Sequence, residues 1–267
     1  VPFAKVNESS FFYRESGEGP LAVFIHGFPL DHSLWLDQLK GLAHVRRCIA
    51  PDLRGFGRSD PTVDPVLTME MLADDVAGLI EAVGEDSADI VALSMGGYVA
   101  LALYELRPRM VRTLTLMDTR ATADGPSARA GRDAMAARLL DRGRSEIATE
   151  MIGGLLGREP SKRAQARLRS MVESTRYETF LAALEGMKDR PDRSSLLPAI
   201  EVPALVVSGD QDTLIPVDEA REMAANIPAA RTTIISGSGH LPPVEQPDQV
   251  NQALIELFEG RKVVWWR

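Results

Sequence analysis

The chain has one cysteine, four histidines and few aromatic residues (6%), and no apolar run approaches the roughly 18 residues that suggest a membrane span. Each shortage excludes something. Cys48 alone cannot build an intrachain disulfide framework or a cysteine-based zinc site. Its setting in "RRCIAP", a predicted strand, marks it as a buried structural thiol and not a nucleophile. Basic charge is short as well: 30 Lys and Arg against 38 Asp and Glu leave a net charge of −8, which gives no electrostatic footprint for nucleic acid or an anionic membrane. The opening stretch, "VPFAKVNESSFFYRESGEGP", lacks a basic region followed by an apolar one, so the expected location is the cytoplasm; the start at Val1 leaves a processed leader open.

What is present is the composition of an ordinary globule, 45% hydrophobic and 25% charged over 267 residues, long enough for one large α/β domain or two small ones. Short apolar runs predict strands at 10–15, 21–26, 46–51, 88–94, 111–118, 203–210 and 231–236. Helical patterns lie between them, at 31–44, 68–83, 95–107, 217–227 and 247–259. The clearest is 68–83, where Leu72, Val76, Leu79, Ile80 and Val83 share one face and Gly84 supplies a stop. This alternation is the signature of βα units around a largely parallel sheet. One region breaks it: 119 to about 198 has no convincing strand but four helical patterns, separated by "DRGRS", "GREPS" and "STRYE". The expected organisation is therefore a core of residues 1–118 and 199–260, a helical cap inserted at 119–198, and a tail at 261–267. Trp265 and Trp266 in that tail belong to no pattern and suggest a vector remnant or a segment packed on a neighbour.

Ligands of open α/β sheets bind outside the carboxyl ends of the strands. Four predicted strand ends carry "IHGFPL", "ALSMGG", "GDQDTLIP" and "SGSGHLPP". The glycine-rich "DLRGFGRSD" at 52–60 fails the spacing of both the dinucleotide fingerprint and the P-loop, so it is expected to turn the chain under the site. On its own segment, Ser94 reads equally well as a turn or N-cap residue. His32 and His44 fall in or beside the first helix as surface residues, and His26 is expected to orient its loop.

Taken in order, "HGFP", "PDLRGFGRSD", "ALSMGG", "GDQDTLIP" and "GHLPPVEQP" resemble the α/β-hydrolases of the serine esterase type, close to the 3-oxoadipate enol-lactonase-like group, over essentially the whole chain. The resemblance implies an α/β-hydrolase fold, a mostly parallel sheet flanked by helices with an inserted helical cap. It implies Ser94 as nucleophile, His240 as general base and then acid, and Asp212 as the third member, through "GxxDxxxP" at Gly209, Asp212 and Pro216. Asp210 and Asp118 are the other acid candidates; Asp118 is expected to cap the entry to the insertion. The backbone N–H groups of Phe28 and Met95 are implied as the oxyanion hole. Phe28, Met95, Leu214 and Leu241 are candidates for the substrate pocket, with ordinary core an equal reading for the two leucines. Glu245 is expected to cap the last helix. Ala92 departs from GxSxG. The implied activity is a carboxylesterase acting on small, short-chain acyl esters with no metal or cofactor. A lactonase, a carbon–carbon bond hydrolase or a cofactor-free perhydrolase on the same triad is the alternative, and a small-molecule sensor the alternative from another class. The expected partner is a small-molecule ester, without nucleic acid or membrane; homo-oligomerisation stays open.

Overall fold

The computed structural model describes residues 3–228 and 230–260, so the tail at 261–267 lies outside the described residues. Eight strands form one sheet: β1 (Phe3–Val6), β2 (Ser9–Ser16), β3 (Leu21–Ile25), β4 (Arg47–Pro51), β5 (Ala88–Leu93), β6 (Val111–Met117), β7 (Ala204–Gly209) and β8 (Ala230–Ile235). Their spatial order is β1-β2-β4-β3-β5-β6-β7-β8. Only β1–β2 and β2–β4 pair antiparallel. The remaining pairs are parallel. Parallel strands are covered on both faces, so β3 ("LAVFI") and β5 ("ADIVAL") are buried at every residue and read as apolar runs, β5 interrupted by one aspartate. Asp89, the polar member of β5, is fully buried yet bonded to Arg46, Arg112 and Thr113. β1 lacks a sequence signal because it is a short edge strand with one buried residue; the positive φ values of Asn7 (47°) and Glu8 (65°) turn it into β2.

The helices are α1 (Leu36–Leu42), α2 (Met69–Ala82), α3 (Met95–Leu106), α4 (Pro126–Leu155), α5 (Lys162–Ser174), α6 (Tyr177–Lys188), α7 (Val217–Ala225), α8 (Pro242–Glu245) and α9 (Pro247–Phe258). The expected helix at 31–44 begins instead as a 3-10 turn, His32–Trp35, capped by the Asp31 carboxylate. In α2, Leu72, Val76, Leu79 and Ile80 are buried and the Thr68 hydroxyl accepts the Met71 N–H, as the periodicity requires. No helix among the described residues is long and apolar enough to cross a membrane.

Between β6 and β7 the chain makes α4, α5, α6 and a 3-10 turn at Ser194–Ala199. α4 is broken at Gly143 (φ 79°, ψ 173°) inside "DRGRS", so the segment holds four helical pieces. It is tied to loops of the sheet. Thr175 Oγ1 donates to Pro29 O (2.9 Å), and Arg176 and Thr179 donate to Gly55 O (2.7 and 3.0 Å). The "DLRGFGRSD" loop thus anchors the helical segment, with Gly55 at φ 81° making the turn that presents its carbonyl.

Sheet order reverses at β3: the chain passes from β3 to β4 on one side and later to β5 on the other. The crevice for a ligand belongs at such a switch point, between the loop after β3 and the end of β5. Those ends carry Phe28 and Ser94.

Candidate active site

Ser94 stands between β5 and α3 at φ 55°, ψ −117°, a region that a residue with a Cβ adopts only when its surroundings hold it there. They do so from β6 and the loop after it: Ser94 N–H donates to Met117 O (2.9 Å), and Thr119 Oγ1 donates to Ser94 O (2.7 Å). Its side chain makes no capping bond to α3, so the hydroxyl does not serve as an N-cap. The turn needs glycine two residues on. A Cβ on Gly96 would lie 2.4 Å from Ile25 O and 2.8 Å from His26 O. Ala92 lies one step back inside β5, buried and in register between Ile25 and Leu116, so its methyl is a sheet-core contact and not an obstruction of the turn.

His240 follows β8 and is 2% exposed. Its Nδ1 lies 2.7 Å from Asp212 Oδ2, leaving Nε2 as the free end of the ring. Asp212 Oδ1 accepts the N–H groups of Leu214 (2.8 Å) and Ile215 (3.2 Å). Burial alone would raise the Asp212 pKa, but His240 and the Leu214 N–H outweigh it and hold the carboxyl below its ordinary range. Asp210, the neighbouring candidate, accepts the N–H groups of Gly237 (2.8 Å) and Ser238 (3.3 Å) and so shapes the histidine loop.

Ser94 and His240 share one cavity of about 490 Å³ with Phe28, Leu214 and residues of α4 and α6, among them Met135, Met151 and Leu184. Phe28 packs its ring edge-on against Phe180 of α6 (4.6 Å). Of the four expected pocket residues, Phe28 and Leu214 line this cavity. Met95 and Leu241 do not; both are fully buried in the core, because the turn of α3 and the turn into α8 direct them away from the opening. The Met95 N–H remains at the first position of α3, where no earlier turn supplies a carbonyl.

Several other assignments change. Asp118 does not cap the insertion, whose first helix starts at Pro126 after Gly125 with no side-chain cap; it lies buried close to Asp212. Burial and the Asp212 charge push its pKa well above the ordinary carboxyl range. Glu245 does not cap α9. One of its oxygens accepts the Gly157 N–H (2.6 Å), the other the Ser238 hydroxyl (3.1 Å) and Gly239 N–H (3.0 Å). With His240 N–H donating to Leu155 O (2.7 Å), it stitches the end of α4 to the histidine loop. The signal was present in "VEQP", but its partner 88 residues away was not legible. His32 is not a free surface residue: Nδ1 lies 2.8 Å from buried Asp52 Oδ1. His44 is exposed. His26 is fully buried; Leu53 N–H donates to its Nε2 (3.0 Å), so Nδ1 carries the proton toward Gly27 O (2.9 Å), and burial lowers its pKa. It braces the loop before Phe28. Cys48 is buried, its thiol pushed up to about 12 by burial.

Two groups of carboxylates and histidine lie close together: Asp31, His32 and Asp52, and Asp118, Asp212 and His240, the second already tied by the Asp212–His240 bond. In the first, Asp52 already accepts the N–H groups of His32 (2.7 Å) and Arg58 (2.8 Å) besides the His32 ring, a structural hydrogen-bond cluster.

The alpha/beta hydrolase family model matches residues 22–253, and the chain belongs to that family. Among solved structures it is similar to an esterase from Thermogutta terrifontis, at 37% identity and a TM-score of 0.92, with 97% of each chain covered. Among curated proteins it is 27% identical over 244 residues to 3-oxoadipate enol-lactonase 1 of Acinetobacter baylyi, covering 90% of this chain and 88% of that one. It is also 30% identical over 257 residues to the dihydrolipoyllysine-residue acetyltransferase component of the acetoin cleaving system of Pseudomonas putida; 92% of this chain matches, spanning 66% of that protein's length.

Proposed function

We propose that this hydrolase is a serine carboxylesterase for small, short-chain acyl esters, with Ser94 as nucleophile, His240 as base and acid, and Asp212 as the group that fixes the imidazole. One observation carries the reading: a backbone-strained serine, free of any capping bond, shares a cavity with a histidine whose Nδ1 is held 2.7 Å from a buried aspartate. Ser94 Oγ attacks the ester carbonyl carbon while His240 Nε2 takes its proton. The oxyanion forms between the Phe28 and Met95 N–H groups, where the loss of one such donor costs about 3–4 kcal/mol of transition-state stabilisation. Collapse of the intermediate releases the alcohol, protonated by His240. Water, deprotonated by the same ring, then attacks the acyl-enzyme carbonyl; the acid departs and the Ser94 hydroxyl is restored. Asp212 keeps its charge and stabilises the imidazolium.

Residues 119–198 act as a cap over the core of 1–118 and 199–260, and Met135, Met151 and Leu184 supply its apolar lining. A volume of about 490 Å³ suits a compact ester. The likeness to an enol-lactonase supports a second reading, lactone opening on the same triad. A panel of nitrophenyl esters and lactones of graded size, run beside Ser94→Ala, decides between them. Esters should turn over with the short chains fastest; rapid lactone opening with negligible ester turnover selects the second reading, and hydrolysis that survives Ser94→Ala eliminates both.

A further inference from the structure

The mechanism leaves one buried carboxyl without a task. Asp118 closes β6 at φ 42° and is 1% exposed. Its Oδ1 accepts the Gly209 N–H (2.9 Å), while Oδ2 is buried with no hydrogen-bond partner. One ligand atom each from Asp118, Asp212 and His240 lie within 4.8 Å of one another. Two buried carboxylates this close cannot both ionise without strong repulsion. A protonated carboxyl, by contrast, gains an O–H donor, the group that two acceptors face to face lack.

We propose that Asp118 is a neutral carboxylic acid that donates a hydrogen bond to Asp212, a positioning residue behind the Asp212–His240 pair. The inference rests on the triad reading above. Its effect is to withdraw charge from Asp212 and fix the plane of that carboxylate, which limits how strongly His240 is drawn toward its protonated form. Burial and the Asp212 charge favour the neutral acid; the Gly209 N–H and the Ser208 hydroxyl oppose it. The other charged groups around the cluster are engaged elsewhere. Arg120, from the loop after β6, pairs with Glu219 of α7. Asp210 and Glu245 hold the histidine loop. Arg132 and Asp124 pair with each other, and Glu150 of α4 pairs with Arg138.

The test is an NMR titration of the His240 ring in a Ser94→Ala background, which needs no turnover and so stands apart from the esterase assay. Asp118→Asn retains an N–H donor toward Asp212, and the His240 midpoint should stay at its parent value. Asp118→Ala removes the donor, and the midpoint should rise by about one pH unit, the scale of a hydrogen bond to a charged group. If Asp118 is instead ionised, Asp118→Asn deletes a negative charge and the midpoint falls; that result, or an unmoved midpoint in Asp118→Ala, overturns the proposal. Should the alanine variant fail to fold, the asparagine variant decides by itself, and thermal unfolding against pH adds a second measure. An unfolded Asp loses its proton near about 3.9. The folded Asp118 keeps its own, so wild-type stability falls as pH rises from that value toward the folded titration point. Asp118→Asn should lack this fall and gain in Tm over wild type as pH rises; parallel curves for the two proteins refute the neutral acid. Ester turnover absent while His240 responds as expected would remove the esterase reading and leave the hydrogen bond standing.

Discussion

The molecule contains two histidine–aspartate pairs of nearly equal length, His240–Asp212 at 2.7 Å and His32–Asp52 at 2.8 Å. In both the aspartate is buried and bound to backbone N–H groups as well as the ring. The difference lies in the surroundings of each ring. His240 opens on a cavity that also holds Ser94. The His32 ring lies edge-on to Phe12 (4.8 Å), and its aspartate closes the turn after β4. The pair is thus a generic device for fixing an imidazole, and what each ring faces separates the proposed catalytic pair from the one that holds a loop.

The strongest way to break this comparison is to truncate each site in turn. Ser94→Ala or His240→Ala should lower kcat for nitrophenyl esters by at least about 10⁴-fold, the scale of a dismantled triad. The matched substitutions sharpen it: Asp212→Asn should lower kcat by about 10⁴-fold with thermal stability little changed, while Asp52→Asn should leave kcat near wild type and lower Tm. Glu245→Ala leaves the Gly157, Ser238 and Gly239 donors unpaired and frees the histidine loop, so kcat should drop up to about 100-fold with KM changed less; equal losses for small and large esters would show that the loop, and not the shape of the pocket, has been disturbed. His32→Ala should cost about 1–2 kcal/mol in urea unfolding and leave turnover intact. Ala92→Gly should have the smallest effect, about 0.5–1 kcal/mol of stability with activity preserved. A large loss of activity there would show that the alanine sets the position of Ser94.

Legibility followed the range of the interactions involved. β5, Ser94 and α3 were readable because a doubly covered strand is an apolar run and the break in it is local. The three breaks in the helical segment were marked by "DRGRS", "GREPS" and "STRYE", where Gly143 adopts positive φ and the gaps between α4, α5 and α6 fall. Contacts across long stretches of chain were not readable. Glu245 looked like a helix cap because its bond to Gly157 spans 88 residues, and His32 looked solvated because Asp52 lies 20 residues ahead. Met95 and Leu241 looked like pocket residues because each adjoins a proposed catalytic residue, yet both are fully buried and neither lines the cavity.

Gly96 has one further consequence. Its missing Cβ lets the first turn of α3 rest directly on the carbonyls of Ile25 and His26. At Gly96 the spacing between the start of α3 and the loop that carries Phe28 is therefore set by backbone against backbone. Substitutions on the cavity wall contributed by α4 and α6 should therefore reshape the opening without moving that backbone contact.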